Sequence, residues 1–578
     1  MKSKHLFFLI ITAITLFYGY LAIYLLPPNS FFTMDNGVKF IQVQGLILNN
    51  FKNIHLPYPG KYLDPSFNFF PIRPPWKTLE PHIHLKDNQA YSMHPFIFPF
   101  LSSYFYKIFG FYGLFFIPII SSFFSLILIY LLVNKIVPQY SLFSILLTGL
   151  GSPLFFYSLI FWEHTLSIFI TTLIFYLLCL NKGPSKIAYF FIGLLIGLNS
   201  WIRMETTILS ISMIIILYLL QSRKDGSLQK VVFATAGFVL SLIPLLLYNY
   251  WLYGSVISAH NKYVISDVVS IQGGSGFLQL LFEKLTIAYH LWFNGAADRI
   301  NNLALIILTI GIFFLRLTDH KKTLIFFLIL FLLNSCYIGY QNFTHPVTFI
   351  TGLIPTIPYV VFILFGLPEL TKNKEALDLK LLLYSSLSYL FLTSVIAGSD
   401  GGNQWGPRYF LPALPALIIF SLYSLSLVKR SSFFPKIYQG IFLGLCLISF
   451  FIQWIGFDLL QKGNQAQFLQ LRALEDIKSP IVVSYSYGLS TENATLFYKK
   501  CFFWVDDQDS LKKLLSIFVK NKIKDFCFVS FDQEALKKDK YASLRWDFKR
   551  LIEERGYQLI NHFSVSSWYV YNEFKLVK

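Results

Sequence analysis

Charge is what this chain has least of. Only 13% of its 578 residues are Asp, Glu, Lys or Arg, and 55% are hydrophobic. Mean hydropathy is +0.56. A soluble globular protein carries about a quarter charged residues, so water is excluded as the main solvent for this surface. Cysteine is scarce as well. Five are too few for a disulfide framework. Cys179, Cys336 and Cys446 fall in apolar runs; Cys501 and Cys527 fall on expected buried strands of the C-terminal part, where a disulfide is open but not favoured. Carboxylates are outnumbered by cations, for a net charge of +18. The cations are scattered between apolar runs rather than gathered on one face, which speaks against a nucleic-acid partner. There is no internal repeat of the kind that builds transporters. No Gly-Lys-Ser/Thr follows the glycine cluster Gly273-Gly274-Ser275-Gly276, which reads as a mobile loop rather than a phosphate cradle. No small-x-small cleavage site precedes Pro27-Pro28, so the apolar N-terminus is expected to be an uncleaved signal anchor.

What the chain does have is a series of bilayer-length apolar runs. They fall near 6–26, 112–134, 140–158, 162–180, 187–203, 205–220, 231–251, 303–318, 323–341, 347–366, 380–398, 409–428 and 437–460, about thirteen spans. Lysine and arginine recur on one side: Lys2 and Lys4, Lys135, Lys186, Lys230, Arg316, Lys372, Lys436. The opposite short loops carry almost none apart from Arg203 and Arg408. By the positive-inside rule the N-terminus is cytoplasmic, and the odd count puts the C-terminal part outside. The expected fold is a polytopic α-helical membrane domain over 1–460, with exoplasmic loops 28–111 and 253–302, followed by a small exoplasmic α/β domain over 461–578, in which Ile481-Val482-Val483 and Phe526 to Val529 read as buried strands. Leu511, Leu514, Leu515 and Phe518 have helical spacing behind an Asp509/Ser510 cap, and Tyr541, Leu544, Phe548, Leu551 and Ile552 make another helix. The Phe-, Ile- and Lys-rich composition points to a bacterial inner membrane.

A carboxylate just beyond the first span is unfavourable at membrane depth and therefore points to function. Asp35 occupies that place, ahead of a helix expected from Val38 to Phe51 on which Asp35, Lys39 and Gln42 share a side. The other reading of Asp35 is a helix cap. Arg408 opens a span in Trp405-Gly406-Pro407-Arg408-Tyr409, where a guanidinium can meet a lipid phosphate or reach the headgroups. Glu163 and His164 open another span beside Trp162, as a metal-binding or acceptor-orienting pair or as an interfacial cap. Arg203 and Glu205 read as a local ion pair, though Arg203 remains a candidate for substrate binding. His82 and His84 alternate along an extended segment, a weak metal signal, and His94 precedes an amphipathic run to Phe109.

Together these residues resemble the GT-C superfamily of polyprenyl-phosphate-sugar-dependent glycosyltransferases, including protein O-mannosyltransferases and lipid A aminoarabinose transferases. The likeness rests on Asp35-Asn36-Gly37, His94-Pro95, Trp162-Glu163-His164 and Gly406-Pro407-Arg408-Tyr409-Phe410-Leu411-Pro412, in order and sidedness. Mannosyltransferases have an Asp-Glu pair where this chain has Asp35-Asn36, leaving the base role to Asp35 alone. The resemblance implies inverting transfer of a sugar from a polyprenyl-phosphate donor to an acceptor hydroxyl on a glycan, lipid or protein. Asp35 would be the base, and Lys39, His94, Glu163, His164, Arg203, Trp405, Arg408 and Tyr409 would bind substrate. No cofactor is required, and no metal is expected. Competing readings are a transporter or lipid-linked glycan flippase, and a glycan ligase or polymerase of related fold.

Overall fold

The structure is a computed structural model. It describes residues 2–72, 82–180, 185–221, 227–256, 277–296, 298–318, 320–345, 349–372, 377–402, 404–431, 434–531, 548–565 and 569–577. The glycine cluster at 273–276 and the expected helix start at Tyr541 and Leu544 lie outside them. Two compact units emerge. Met1–Ala22, Phe115–Tyr248 and Val268–Leu459 make a helical unit; Ile23–Leu114, Asn249–Asp267 and Leu460–Lys578 make a mixed α/β unit. Residues of the expected loop 28–111 thus belong to the same unit as the tail.

In the helical unit, apolar composition becomes membrane architecture. Among the described residues eight helices are long and apolar enough to cross a bilayer, from His5–Leu25 to Pro435–Asp476, and three shorter apolar ones (His164–Cys179, Lys186–Ile202, Thr206–Leu220) lie between them. The chain is a multi-pass membrane protein. Two of the thirteen expected spans are broken. The run at 140–158 splits into Ser141–Gly149 and Leu154–Ser158, and that at 347–366 into Leu353–Thr356, a 3₁₀ turn Pro358–Phe362 and Ile363–Lys372. Pro153, Pro355 and Pro358 explain the breaks, since proline removes a helical donor and clashes with the preceding turn. A nine-residue helix rises only about 14 Å, half of a hydrocarbon core of about 30 Å.

Burial separates lipid-facing from central helices. Only 22% of the apolar window of Arg299–Leu317 is buried, against 89% for Arg408–Val428, so the latter is a core helix of its unit. Several buried hydroxyls donate along their own helices, as in Ser125 to the Ser121 carbonyl and Thr172 to that of Ile168. Lys186–Ile202 crosses Ser227–Tyr253 with backbones in contact. A Cβ on Gly193 would lie 2.0 Å from the Ala234 carbonyl oxygen, and one on Gly237 2.1 Å from that of Phe190. This is the small-residue packing that brings membrane helices close without polar groups.

The mixed unit begins with α2 (Met34–Leu48), α1 being the first span helix Lys2–Tyr20. Thr33 is the N-cap residue, and the Asn36 side-chain oxygen accepts from the Thr33 N–H at 3.2 Å and hydroxyl at 3.0 Å. The helix therefore starts four residues before the expected Val38, and Asp35 sits in its first turn. Asp35 does not cap it. A hairpin follows: β1 (Ile83–Lys86) and β2 (Gln89–Ser92), antiparallel, with Ile83 opposite Ser92. The alternation of His82 and His84 along the chain shows only an extended segment here. Asp87 and Asn88 both have positive φ, 51° and 56°, the signature of a two-residue type I′ turn. The Asp-Asn pair was its legible signal. After it comes α3 (Ile97–Phe109), the expected amphipathic run.

The tail forms one five-stranded sheet in the order β4-β3-β5-β7-β6. Its strands are β3 (Ile481–Ser484), β4 (Cys501–Trp504), β5 (Asp525–Phe531), β6 (Tyr557–Ser564) and β7 (Tyr569–Leu576). β3 pairs in parallel with β4 and β5, while β7 is antiparallel to β5 and β6. The buried runs of β3 and β5, and the place of Cys501 in β4, were legible as strands; β6 and β7 were not. The helix Gln508–Lys520 buries Leu511, Leu514, Leu515 and Phe518 as its spacing predicts, but its cap is Asp507, whose carboxylate accepts from the Ser510 N–H at 2.6 Å, rather than Asp509 or Ser510. The five cysteines are free thiols. Leu471 and Leu474, from the end of Pro435–Asp476, and Ile477 just beyond it close the core over Val482, Val529 and Tyr571.

One contact ties the sheet to α2. A Cβ on Gly37 would lie 1.8 Å from the Thr491 carbonyl oxygen. The Tyr498 hydroxyl donates to the Ile41 carbonyl at 3.2 Å, and the Ser490 hydroxyl to that of Pro71 at 2.6 Å. Gly37→Ala should therefore lower the thermal midpoint of the purified protein, at the overpacking cost of about 1–3 kcal/mol. An unchanged midpoint would show that this backbone contact is slack.

Candidate active site

In the mixed unit three side chains converge. The His82 and His94 Nε2 atoms lie 3.8 and 3.9 Å from Asp35 Oδ1. The imidazoles meet edge to face, with centroids 5.3 Å apart. The hairpin brings them together. The Met93 N–H donates to the His82 carbonyl at 2.9 Å, so the pairing extends one step past Ile83–Ser92 and sets His82 beside His94. The His94 N–H donates to Ser92 Oγ at 3.1 Å. α2 reaches the same loop through Gln42, whose side-chain amide donates to the His94 carbonyl at 3.3 Å. Lys39, on the same helix, is buried. His84 goes elsewhere, with its ring edge-on to Tyr253 at 5.2 Å. Only a hairpin register brings residues 35, 82 and 94 together, which explains why spacing along the chain did not show the trio.

Two imidazoles and a carboxylate are the donor set of a divalent transition-metal site, and the ligand atoms of Asp35, His82 and His94 all lie within 4.8 Å of one another. Two bonds of about 2.1 Å to one ion permit ligand separations up to about 4.2 Å. The two His–Asp separations fit that limit. Asp35 keeps about a quarter of its side-chain surface exposed, enough to meet a substrate.

The helical unit builds a second cluster from residues far apart in sequence. The Arg408 guanidinium lies 5.6 Å from the Trp162 ring centre and 5.3 Å from that of Tyr409, within cation–π range. His164 stacks on Tyr157 at 4.5 Å and meets Trp162 at 4.8 Å. Arg203 Nε donates to Glu205 Oε1 at 2.6 Å, and its Nη1 lies 4.0 Å from Glu163 Oε1. Arg203 is thus held between two carboxylates, the local pair with Glu205 enlarged by Glu163. Trp405 is fully buried and its indole N–H donates to Gln453 at 3.2 Å, so it anchors the loop before Arg408. The Tyr389 hydroxyl donates to the Tyr409 carbonyl.

Two further residues were missed. His290 Nδ1 lies 2.6 Å from Asp400 Oδ2, and Trp292 packs edge-on to Phe410 at 5.2 Å. Asp400 stands at the head of the same loop that carries Trp405 and Arg408 and was the only available signal. Asp35 belongs to one unit and Arg408 to the other.

Fold and sites define a multi-pass helical membrane protein with an acid–imidazole cluster in its α/β-containing unit and an arginine–aromatic cluster in its helical unit. No protein-family model and no curated protein matches the chain. Solved structures do resemble it. ArnT from Cupriavidus metallidurans bound to undecaprenyl phosphate is 9% identical with a TM-score of 0.48, over 98% of this chain and 97% of that one. The archaeal oligosaccharyltransferase AglB from Archaeoglobus fulgidus, in complex with an inhibitory peptide and a dolichol-phosphate, is 14% identical with a TM-score of 0.48, over 98% of this chain and 74% of that one.

Proposed function

We propose that this protein transfers a sugar from a polyprenyl-phosphate donor to an acceptor hydroxyl at the exoplasmic face of a bacterial inner membrane. The observation that carries the reading is Asp35 with His82 and His94 at the start of α2, a solvent-reached carboxylate flanked by two imidazoles just beyond the first span. Asp35 takes the proton from the acceptor hydroxyl. The freed oxygen attacks the anomeric carbon, the bond from that carbon to the phosphate oxygen breaks, and polyprenyl phosphate leaves with the bonding electrons. One in-line displacement, with the oxygen entering opposite the departing phosphate, inverts the anomeric centre. Arg408, fixed against Trp162 and Tyr409, stabilises the charge growing on the phosphate. Lys39, Glu163, His164, Arg203, Trp405 and Tyr409 bind or frame the substrate.

A divalent cation held by Asp35, His82 and His94 would supply positive charge near the departing phosphate. The reading therefore extends to a metal that the sequence did not call for. Equilibrium dialysis of the purified protein with zinc or manganese should show one equivalent bound, and His94→Ala should weaken it by about 10–100-fold or more. Equal uptake by wild type and His94→Ala would remove the metal from the proposal and leave the imidazoles as neighbours that orient Asp35. The main test is turnover: purified protein with labelled polyprenyl-phosphate sugar should release polyprenyl phosphate. Vectorial movement of the lipid with no bond cleaved would make it a transporter instead.

A further inference from the structure

The tail sheet has a topological switch point. β3 lies between β4 and β5, parallel to both. The chain leaves β3 toward one side, and the next crossover brings β5 to the other. Connections that diverge from the carboxyl end of such a strand leave a crevice where ligands bind in open α/β sheets. Here that end carries a chain of polar groups. The Ser486 N–H donates to Ser484 Oγ at 2.9 Å, and Ser486 Oγ lies 3.1 Å from the Tyr569 hydroxyl. Tyr569 donates to Glu492 Oε2 at 3.2 Å. Glycine keeps the centre open. A Cβ on Gly488 would lie 2.9 Å from Met34 Sδ, 3.2 Å from Glu492 Oε1 and 3.5 Å from Ser486 Oγ. Aromatic residues flank it: Tyr487 meets Trp504 edge-on at 6.0 Å, and Tyr485 meets Phe531 at 6.2 Å. Tyr485, Ser486, Tyr487 and Glu492 all keep part of their surface exposed.

The place matters as much as the chemistry. Met34, against Gly488, is the residue before Asp35. The switch point of the sheet thus lies next to the first turn of α2. The mechanism above uses none of these groups. Burial pushes the Glu492 carboxyl above its ordinary range, while hydrogen bonds from Tyr569 and Gln467 pull it back.

We propose that the carboxyl end of β3, with Ser486, Glu492 and Tyr569 beside Met34, is the acceptor subsite and takes a polyhydroxylated, glycan-type acceptor. Hydroxyl and carboxyl groups both donate and accept, as a sugar's hydroxyls do. The rings of Tyr485 and Tyr487 offer apolar faces to its C–H surfaces. The role as acceptor subsite rests on the glycosyl-transfer reading; the binding itself does not. The tail is then a wall of the acceptor site, and Glu492 is its specificity-determining residue.

The test is saturation-transfer NMR on the full-length protein in detergent, with maltotetraose, cellotetraose and chitotetraose as probes. At least one should bind. Glu492→Gln and Tyr569→Phe should each weaken it at least tenfold with the thermal midpoint unchanged. In turnover, Glu492→Gln should raise the oligosaccharide concentration for half-maximal transfer at least tenfold while donor hydrolysis by water stays at the wild-type rate. Absence of binding by all three, or binding indifferent to both substitutions, overturns the subsite. Equal loss of hydrolysis and transfer would make Glu492 structural and also overturn it. Binding through Glu492 without any donor turnover would instead sink the transferase reading and leave a glycan-binding site.

Discussion

Asp35→Asn should lower sugar transfer by about 10²–10⁴-fold, the range assigned to a general base, with donor binding retained. The substitution conserves size and shape, and Thr33 rather than Asp35 caps α2, so the helix keeps its start. What is lost is a carboxylate that can accept a proton. Release of labelled polyprenyl phosphate under single-turnover conditions reads the chemical step directly. His94→Ala separates the two roles open to Asp35. If Asp35 acts chiefly as a metal ligand, losing His94 should lower turnover nearly as much, and added zinc should restore part of it. If Asp35 acts as the base, Asp35→Asn stays inactive at any metal concentration. Turnover of Asp35→Asn within a few-fold of wild type would end the proposed mechanism.

Arg408→Ala should lower turnover by about 10²–10³-fold, the loss seen when a preorganised charge-stabilising donor is removed. The guanidinium lies over Trp162 and beside the Tyr409 ring, in surroundings where a charge acts at lower dielectric than in water. Arg408→Lys should recover little, because an ammonium lacks the planar fork that stacks on aromatic rings and grips phosphate bidentately. Arg203 is a different case. Glu163 and Glu205 already share its charge, and its removal would strand one buried and one half-buried carboxylate, a folding defect before a catalytic one. Donor turnover at saturating donor distinguishes these outcomes. An Arg408→Ala enzyme with wild-type turnover and only a weaker donor affinity would reduce Arg408 to a headgroup anchor.

Much of this was legible in composition and periodicity. Low charge and repeated apolar runs are bulk properties, so the multi-pass helical architecture followed from them, as did the small α/β tail. Asp35, Arg408, Glu163 and His164 stood out individually because a charged or polar group at the rim of a span is energetically unfavourable. Length failed as a guide at 140–158 and 347–366, where proline broke apolar runs that hydropathy treats as continuous. The tail's last two strands went unread for another reason: their burial depends on neighbours across the sheet, and β6 is mostly exposed.

By itself, then, the chain's chemistry determined its solvent, its class of architecture and the rare charged groups that such a solvent penalises. Tertiary structure alone decided which of those groups meet. His82 joins Asp35 because a turn at Asp87-Asn88 sets a register, Glu163 reaches Arg203 across two helices, and Glu492 comes beside Met34 because Gly37 and Gly488 leave no side chain in the way. Hydropathy is a sum over residues and survives being read one position at a time. Convergence is a property of pairs far apart along the chain, and only packing specifies it.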